Sequence, residues 1–271
     1  MGVLLNYLKI ISFYLLFLNF LAAANLDEIK DNFSDGLFDI AYSGIISIIQ
    51  NGGMDSEGYA LAADIAFRLD SLNKANEYLK KAIEIDDNEE FRSRWNKLDT
   101  LHQNLKEAKR KSDSGLIDEA IIDYENIIDI FPDFATSFHR LGKIYYKEKD
   151  FDEAVYYYNK AREKNPYNET YSKEISNISK KLAIEGNEIY RRKDYEGAIE
   201  KYRQAIRIFP EYTEAYYRAA KCYYMLGDYD SVKEKLDRAI QNDPTHSSSL
   251  KLYGDVERKT GNSESAISYY E

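Results

Sequence analysis

Proline spacing is the feature of this 271-residue chain that most constrains its fold. The chain has four prolines, and Pro132, Pro166, Pro210 and Pro244 stand 34, 44 and 34 residues apart. Proline ends a helix because it lacks a backbone N–H and disfavours helical conformation in the residue before it. Since the sequence also has only 13 glycines, long helices are favoured. The spacing therefore predicts a repeated helical unit of 34 residues.

Residues 135–168 show this unit most clearly. Small and large apolar or aromatic residues recur at helical spacing on two segments that precede Pro166. They are Phe138, Leu141, Gly142 and Tyr145 on the first segment and Ala154, Tyr158 and Ala161 on the second. The pattern resembles the tetratricopeptide repeat at all eight of its signature positions. Because neither helix can bury its apolar face alone, neighbouring units must stack. The resemblance implies an all-α fold, a right-handed superhelical solenoid of antiparallel helix pairs.

Weaker copies of the unit extend the predicted array in both directions. Degenerate repeats occupy residues 26–89, and the array of residues 90–271 has repeats near 101–134, 135–168, 179–212 and 213–246 and a partial one at 247–271. Two spacers, 90–100 and 169–178, break the register. Their apolar residues recur at helical spacing, so we expect each spacer to extend the following helix by about three turns.

The first 24 residues differ from the rest of the chain. Lys9 is their only charge, Ile10 to Leu21 is an almost unbroken apolar run, and Ala22-Ala23-Ala24 is typical of a signal-peptide cleavage site. The segment is also long enough for an uncleaved membrane anchor. We expect an exported protein of the cell envelope, either periplasmic or anchored to the inner membrane through this segment and facing the periplasm.

Residues that could support catalysis are sparse and scattered. Cys222 is the single cysteine, and the three histidines have no metal-binding spacing. Gly52-Gly53 is an isolated pair that ends a predicted helix, and it does not form a phosphate-binding loop. The sequence therefore predicts a non-enzymatic protein without a cofactor or a metal.

The resemblance also implies where partners bind, because the first helices of such arrays line a concave groove that holds a peptide segment or a helix. Although the chain has a formal net charge of −10, the inward positions are mainly basic or tyrosine. The candidate binding residues are Lys106, Lys109, His139, Arg140, Lys143, Tyr146, Asn187, Tyr190, Arg191, Tyr217, Arg218, Lys221 and Tyr224. This composition favours an acidic partner segment. Gly186-Asn187 resembles part of the carboxylate clamp of some relatives, but Ala183 replaces the lysine that the clamp needs.

Several alternatives stay open. The basic positions could form an ordinary solvated helix face. A second docking surface could include Phe91, Trp95, Tyr171 and Ile175, on the two spacers. The chain could instead be a membrane-tethered structural subunit that self-associates or joins an envelope assembly complex through an apolar solenoid edge. Nucleic acid is disfavoured as a partner because the net negative charge repels phosphates.

Overall fold

The predicted all-α fold is confirmed by a computed structural model, which describes residues 26–52 and 54–271. The predicted signal or anchor segment, residues 1–24, lies outside these ranges. Within them no helix combines the length and the apolar character needed to cross a membrane. The described residues form 14 helices and no strand. Residues 26–34 belong to α1, followed by α2 (Phe38–Gln50), α3 (Ser56–Arg68), α4 (Leu72–Ile85), α5 (Glu89–Asp113), α6 (Ile117–Ile130), α7 (Ala135–Lys147), α8 (Phe151–Lys164), α9 (Glu169–Arg191), α10 (Tyr195–Ile208), α11 (Thr213–Leu226), α12 (Tyr229–Asn242), α13 (Ser247–Lys259) and α14 (Ser263–Tyr270).

The helices form consecutive pairs, as the proline spacing predicts. Pro132, Pro166, Pro210 and Pro244 each stand two residues after the end of a second helix, α6, α8, α10 or α12. The first helices of two pairs are much longer than those of the other pairs: α5 has 25 residues and α9 has 23. The spacer residues 90–100 lie within α5, and residues 169–178 lie within α9.

The turn inside each pair has the same backbone conformation. A left-handed residue stands two positions before each second helix, with positive φ at Gly36, Asp70, Gly115, Lys149, Lys193, Gly227 and Gly261. An aspartate side chain often follows this residue and caps the second helix. Asp150 and Asp194 accept hydrogen bonds from the backbone N–H of Glu153 and Gly197, at 3.2 and 2.9 Å.

Glycine permits the close contact within two of the pairs. A Cβ atom on Gly142 would lie 2.5 Å from Cδ1 of Tyr158, and one on Gly186 would lie 2.7 Å from Cε1 of Tyr202. Both tyrosines are almost fully buried. The first and second helices of these pairs can therefore pack closely only without a side chain at these positions.

The described residues divide into two compact units, one ending at Glu169 and one beginning at Thr170. The first unit is also connected over long sequence distances. The end of α3 and the turn after it reach the start of α7, and Phe67 of α3 stacks on Phe134, the residue before α7, with ring centroids 5.1 Å apart. Asp70, in the same turn, accepts hydrogen bonds from the backbone N–H of Thr136 at 2.9 Å and from Asn165 Nδ2 at 2.8 Å. These contacts join helix pairs that are not consecutive in the sequence.

Candidate partner-binding faces

The predicted binding residues lie in both units. Helices α5 and α7 of the first unit carry Lys106, Lys109, His139, Arg140, Lys143 and Tyr146, and helices α9 and α11 of the second unit carry the other seven. All thirteen are half-buried or exposed. Helical spacing explains why neighbouring members share a face, since residues three or four apart lie one turn from each other.

The charge of the α5/α7 face is partly neutralised within the face. Lys109 pairs with Asp113 one turn later. This contact lowers the pKa of Asp113, and the nearby charges of Lys147 and Arg140 lower it further. The carboxylate of Asp113 therefore lies among the cations of both helices, and it would compete with an acidic ligand for them.

His139 does not contribute positive charge to this face at neutral pH, although the sequence pattern places it among mainly basic positions. Its ring is half-buried and lies 5.6 Å from the ring of Tyr158. Burial lowers the pKa of His139 to about 4, and the charges of Lys143 and Arg140 add to this effect. The imidazole is consequently neutral at pH 7 and contributes shape and packing to the face.

Three of the predicted tyrosines form equivalent aromatic pairs. Tyr190 of α9 lies 5.4 Å from Tyr195 of α10, and Tyr224 of α11 lies 5.9 Å from Tyr229 of α12. Tyr146 pairs in the same way with Phe151, at 5.8 Å. Each pair connects the end of a first helix with the start of its second helix, so the first ring is held in place by the second.

Lys221 lies between two of these aromatic side chains in the second unit. Its ammonium is 5.3 Å from the ring centroid of Tyr190 on α9 and 5.9 Å from that of Tyr217 on its own helix α11. Both distances are within the range of cation–π attraction. The structure thus brings together Tyr190, Tyr217 and Lys221, which are 31 positions apart at most in the sequence.

Arg218 and Asn187 have partners within the second unit. Arg218 Nε donates to Glu214 Oε1 at 2.6 Å, and the other oxygen of Glu214 lies 3.4 Å from His246 Nε2. Tyr202 donates a hydrogen bond from its hydroxyl to Asn187 Oδ1 at 2.8 Å. Asn187 is therefore oriented by the core tyrosine of its own helix pair.

The remaining predicted residues lie at the ends of α9 and α11. Arg191 pairs with Glu188 one turn earlier on α9. The ring of Tyr224 lies 4.9 Å from the ammonium of Lys259, which also contacts Tyr229 at 5.4 Å. Lys259 is not among the predicted residues, and its contact with Tyr224 resembles that of Lys221 with Tyr190 one helix pair earlier.

The basic residues differ in whether a carboxylate neutralises them. Lys109, Arg191 and Arg218 each pair with a carboxylate on their own helix. Within the part of the chain that the structure describes, Lys106, Arg140, Lys143 and Lys221 have no carboxylate oxygen within 4.0 Å. These four residues are the ones whose charge is most available to a ligand.

Three of the four residues of the predicted second docking surface are buried. Phe91, Tyr171 and Ile175 are each at most 2% exposed, because the spacer turns pack into the core. Phe91 joins a core cluster built from the first four helices. Trp95 is partly buried against the same cluster and lies 5.5 Å from the ammonium of Lys80. The aromatic residues of the spacers therefore stabilise the fold.

The described residues contain no group of three or more His, Cys, Asp or Glu side chains placed to hold a metal ion. Cys222 is fully buried in α11, and burial raises the pKa of its thiol to about 12. The thiolate form, which is the nucleophile, is therefore rare at neutral pH. This residue has the environment of a structural thiol.

Comparison with known families identifies the helix pairs. Three tetratricopeptide-repeat family models match the chain, at residues 56–89, 135–168 and 190–256. These segments match the tetratricopeptide repeat. The first two matches coincide with the pairs α3/α4 and α7/α8, and the third runs from the end of α9 to α13. The predicted resemblance to the tetratricopeptide repeat is thereby confirmed at the matched residues.

Curated proteins with tetratricopeptide repeats show moderate similarity. Small glutamine-rich tetratricopeptide repeat-containing protein 2 of Saccharomyces cerevisiae is 32% identical over 89 residues, which cover 33% of this chain and 26% of that protein. Hsp70-Hsp90 organizing protein 1 of Glycine max is 25% identical over 231 residues, covering 77% of this chain and 39% of that protein. The chain thus spans well under half the length of these relatives.

Solved structures of repeat proteins are also similar to the chain. The crystal structure of MamA is 20% identical and has a TM-score of 0.34, covering 60% of this chain and 90% of MamA. The tetratricopeptide-repeat domain of P58(IPK) is 15% identical with a TM-score of 0.35, covering 92% of this chain and 91% of that domain.

Proposed function

We propose that this protein is a non-enzymatic adaptor that binds an acidic segment of a partner protein through the Tyr190/Tyr217/Lys221 cluster. The observation that carries this proposal is the position of Lys221, whose ammonium contacts two tyrosine rings and has no described carboxylate within 4.0 Å. The repeats and the similarity to an Hsp70-Hsp90 organizing protein support a role in protein interactions.

The chemistry of the cluster fits a carboxylate ligand. The half-buried ammonium of Lys221 can form a charge-assisted hydrogen bond with an Asp or Glu side chain. The two tyrosines add flat apolar area for the carbon atoms of the segment and hydroxyl groups for further hydrogen bonds. Because Arg218 is already bound to Glu214, its charge becomes available only if the ligand displaces that carboxylate.

We further infer that the adaptor acts in the cell envelope. This part of the proposal is supported by the sequence of residues 1–24, with their apolar run and alanine cleavage site. Cell fractionation together with mass spectrometry of the mature N-terminus tests it. A protein recovered in the cytoplasm with residues 1–24 intact would contradict an envelope role.

Replacement of Lys221 by Met tests the binding site. A photo-crosslinking residue at Tyr224 of the full chain should capture the partner in cells, and an acidic stretch should contain the crosslinked site. With a labelled peptide of alternating Glu and Ser as probe, we expect Lys221→Met to weaken binding about tenfold, the effect of one charge-assisted hydrogen bond.

Lys173→Met is the matched control, because Lys173 is an exposed lysine of α9 outside the cluster. Equal affinity of Lys221→Met and the wild-type chain, or equal losses in both variants, would contradict the proposed site. Circular dichroism before each titration separates a binding defect from misfolding.

A further inference from the structure

Helix α6 has a charge pattern unlike those of the other second helices. The helices α4, α8, α10 and α12 each carry three Lys or Arg residues within 14 positions. Helix α6 has the same length but no basic residue and five acidic ones. The shorter helices α2 and α14 also lack basic residues, but each has a single acidic residue. A concentrated negative charge is therefore specific to α6 among the described second helices.

The outer face of α6 also exposes large apolar side chains. Ile122 is 56% exposed and Ile130 is 63% exposed. They stand eight residues apart on one side of the helix, which corresponds to about 12 Å along its axis. Glu125 and Asp129 lie between them, and no described cation is within 4.0 Å of either carboxylate. Exposed apolar residues rimmed by unpaired charge are typical of an interaction surface.

Ile130 lies at a cleft, whereas Ile122 lies on the open surface of α6. Ile130 lines a cleft of about 410 Å³ between the end of α6 and the first turns of α5, where Arg92 and Lys97 form part of the opposite wall. This cleft suits an apolar anchor better than a cation. The residues one turn from Ile122 on α6 are acidic or polar, and Lys111 of α5 pairs with Asp123 and Glu119 on its other side.

Tyrosines of α8 continue the surface beside Glu125. Tyr157 stacks on Tyr145 with ring centroids 5.3 Å apart, and Tyr156 meets Tyr157 edge to face at 5.1 Å and is 53% exposed. Burial, the neighbouring Tyr145 and the Glu125 carboxylate together raise the pKa of Tyr157 to about 12. An arginine next to Glu125 could therefore pair with its carboxylate and lie over an exposed tyrosine ring.

We propose that the outer face of α6, with Tyr156 and Tyr157, is a docking surface for a cationic amphipathic helix of a partner protein. Charge complementarity with the acidic residues of α6 requires a positively charged partner. The spacing of the two exposed isoleucines sets the spacing of the partner's apolar residues. The partner helix would carry two apolar residues about two turns apart and Arg or Lys residues beside them. This surface is separate from the Tyr190/Tyr217/Lys221 cluster and does not depend on the function proposed for it.

A synthetic helical peptide tests the proposal directly. The probe carries two leucines eight residues apart on a background of Arg, Lys, Gln and Ala, and its control has the same composition with the leucines on opposite faces. We expect the full chain to bind the amphipathic probe at least tenfold more tightly than the control peptide. Equal affinity for both would overturn the proposal, because general attraction between a cationic peptide and an acidic protein would then explain the binding.

Paired variants locate the binding surface. Glu125→Gln with Asp129→Asn, and separately Ile122→Ser, should each weaken binding of the probe at least tenfold. The control Glu234→Gln with Asp237→Asn makes the same chemical change on the exposed face of α12 and should leave binding unchanged. An equal loss in the control would overturn the proposal. Since Asp129 opposes the dipole at the end of α6, its neutralisation should not lower the melting temperature.

A second copy of the chain is the competing occupant. Sedimentation of the full chain over a range of concentrations, without the peptide, distinguishes the two. A concentration-dependent dimer that disappears in Ile122→Ser would overturn the proposal in favour of self-association through α6. Sedimentation that is the same for both chains supports a foreign helix as the ligand.

Discussion

The Asp70 carboxylate accepts a hydrogen bond from the backbone N–H of Thr136, 66 residues later in the chain. Its other oxygen accepts from Asn165, which is 95 residues away. Asp70 itself has a φ of 59° in the turn between α3 and α4. One side chain therefore joins two helix pairs of the first unit, α3/α4 and α7/α8.

We expect Asp70→Ala to lower the free energy of unfolding by about 2 kcal/mol, because the donors of Thr136 and Asn165 lose their acceptor while partly buried. Urea unfolding followed by circular dichroism measures the change. Glu84→Ala, on the exposed face of α4, should have almost no effect. Equal stability of Asp70→Ala and the wild-type chain would show that water replaces these hydrogen bonds without cost.

Lys149→Gly and Lys193→Gly should each stabilise the protein by about 0.5 kcal/mol. Both lysines have left-handed φ values, 64° and 65°, which cost a residue with a Cβ about 1–2 kcal/mol, and glycine avoids this strain at some entropic cost. Gly115→Ala is the reverse test, since a Cβ there meets no atom within 4 Å and adds only backbone strain. A rise in melting temperature for the lysine variants and a fall for Gly115→Ala is the expected pattern.

Gly142→Ala should destabilise the protein although alanine is the better helix former. The new methyl group would lie 2.5 Å from the buried ring of Tyr158, and overpacking of this kind costs about 1–3 kcal/mol, against a propensity gain of about 1 kcal/mol. In a Tyr158→Leu background the clash is removed, so the same change should then be neutral or favourable. Chemical denaturation of the four chains measures this coupling.

His139 makes stability depend on pH. Its pKa is lowered to about 4 in the folded protein, from about 6.5 in the unfolded chain. Between these values the unfolded chain binds a proton that the folded protein does not, so the free energy of unfolding falls as pH is lowered through this window. His139→Gln should reduce this slope. Unfolding midpoints at pH values from 4 to 7 provide the comparison.

The fold was predictable because its signals are local and repeated. Each proline stands two residues after a second helix, and Gly142 and Gly186 lie opposite core tyrosines. The left-handed turns at Lys149 and Lys193 were not predictable in the same way, because glycine is the usual signal for that conformation. The long-range contact of Asp70 depends on how helix pairs meet in space, which no periodicity in the sequence describes.

The sequence predicts which residues line the candidate binding faces, but it does not predict which of their charges are neutralised by neighbouring residues. Sequence position alone cannot show that Arg218 is held by Glu214 while Lys221 lies against two rings. It also cannot show that Phe91 packs into the core, since an aromatic residue at helical spacing suits either a core or an interface. These distinctions come from neighbours contributed by other helices.

The hydrogen bonds of Asp70 couple the local unfolding of helix pairs in the first unit. A linear repeat array loses its terminal pairs one after another, because each pair touches only its neighbours. Here the turn after α3 is bonded to the start of α7 and the end of α8, so α3 and α4 cannot fray without breaking bonds further along the chain. In hydrogen exchange, the amides of α3, α4 and α7 should therefore become exposed in one common event.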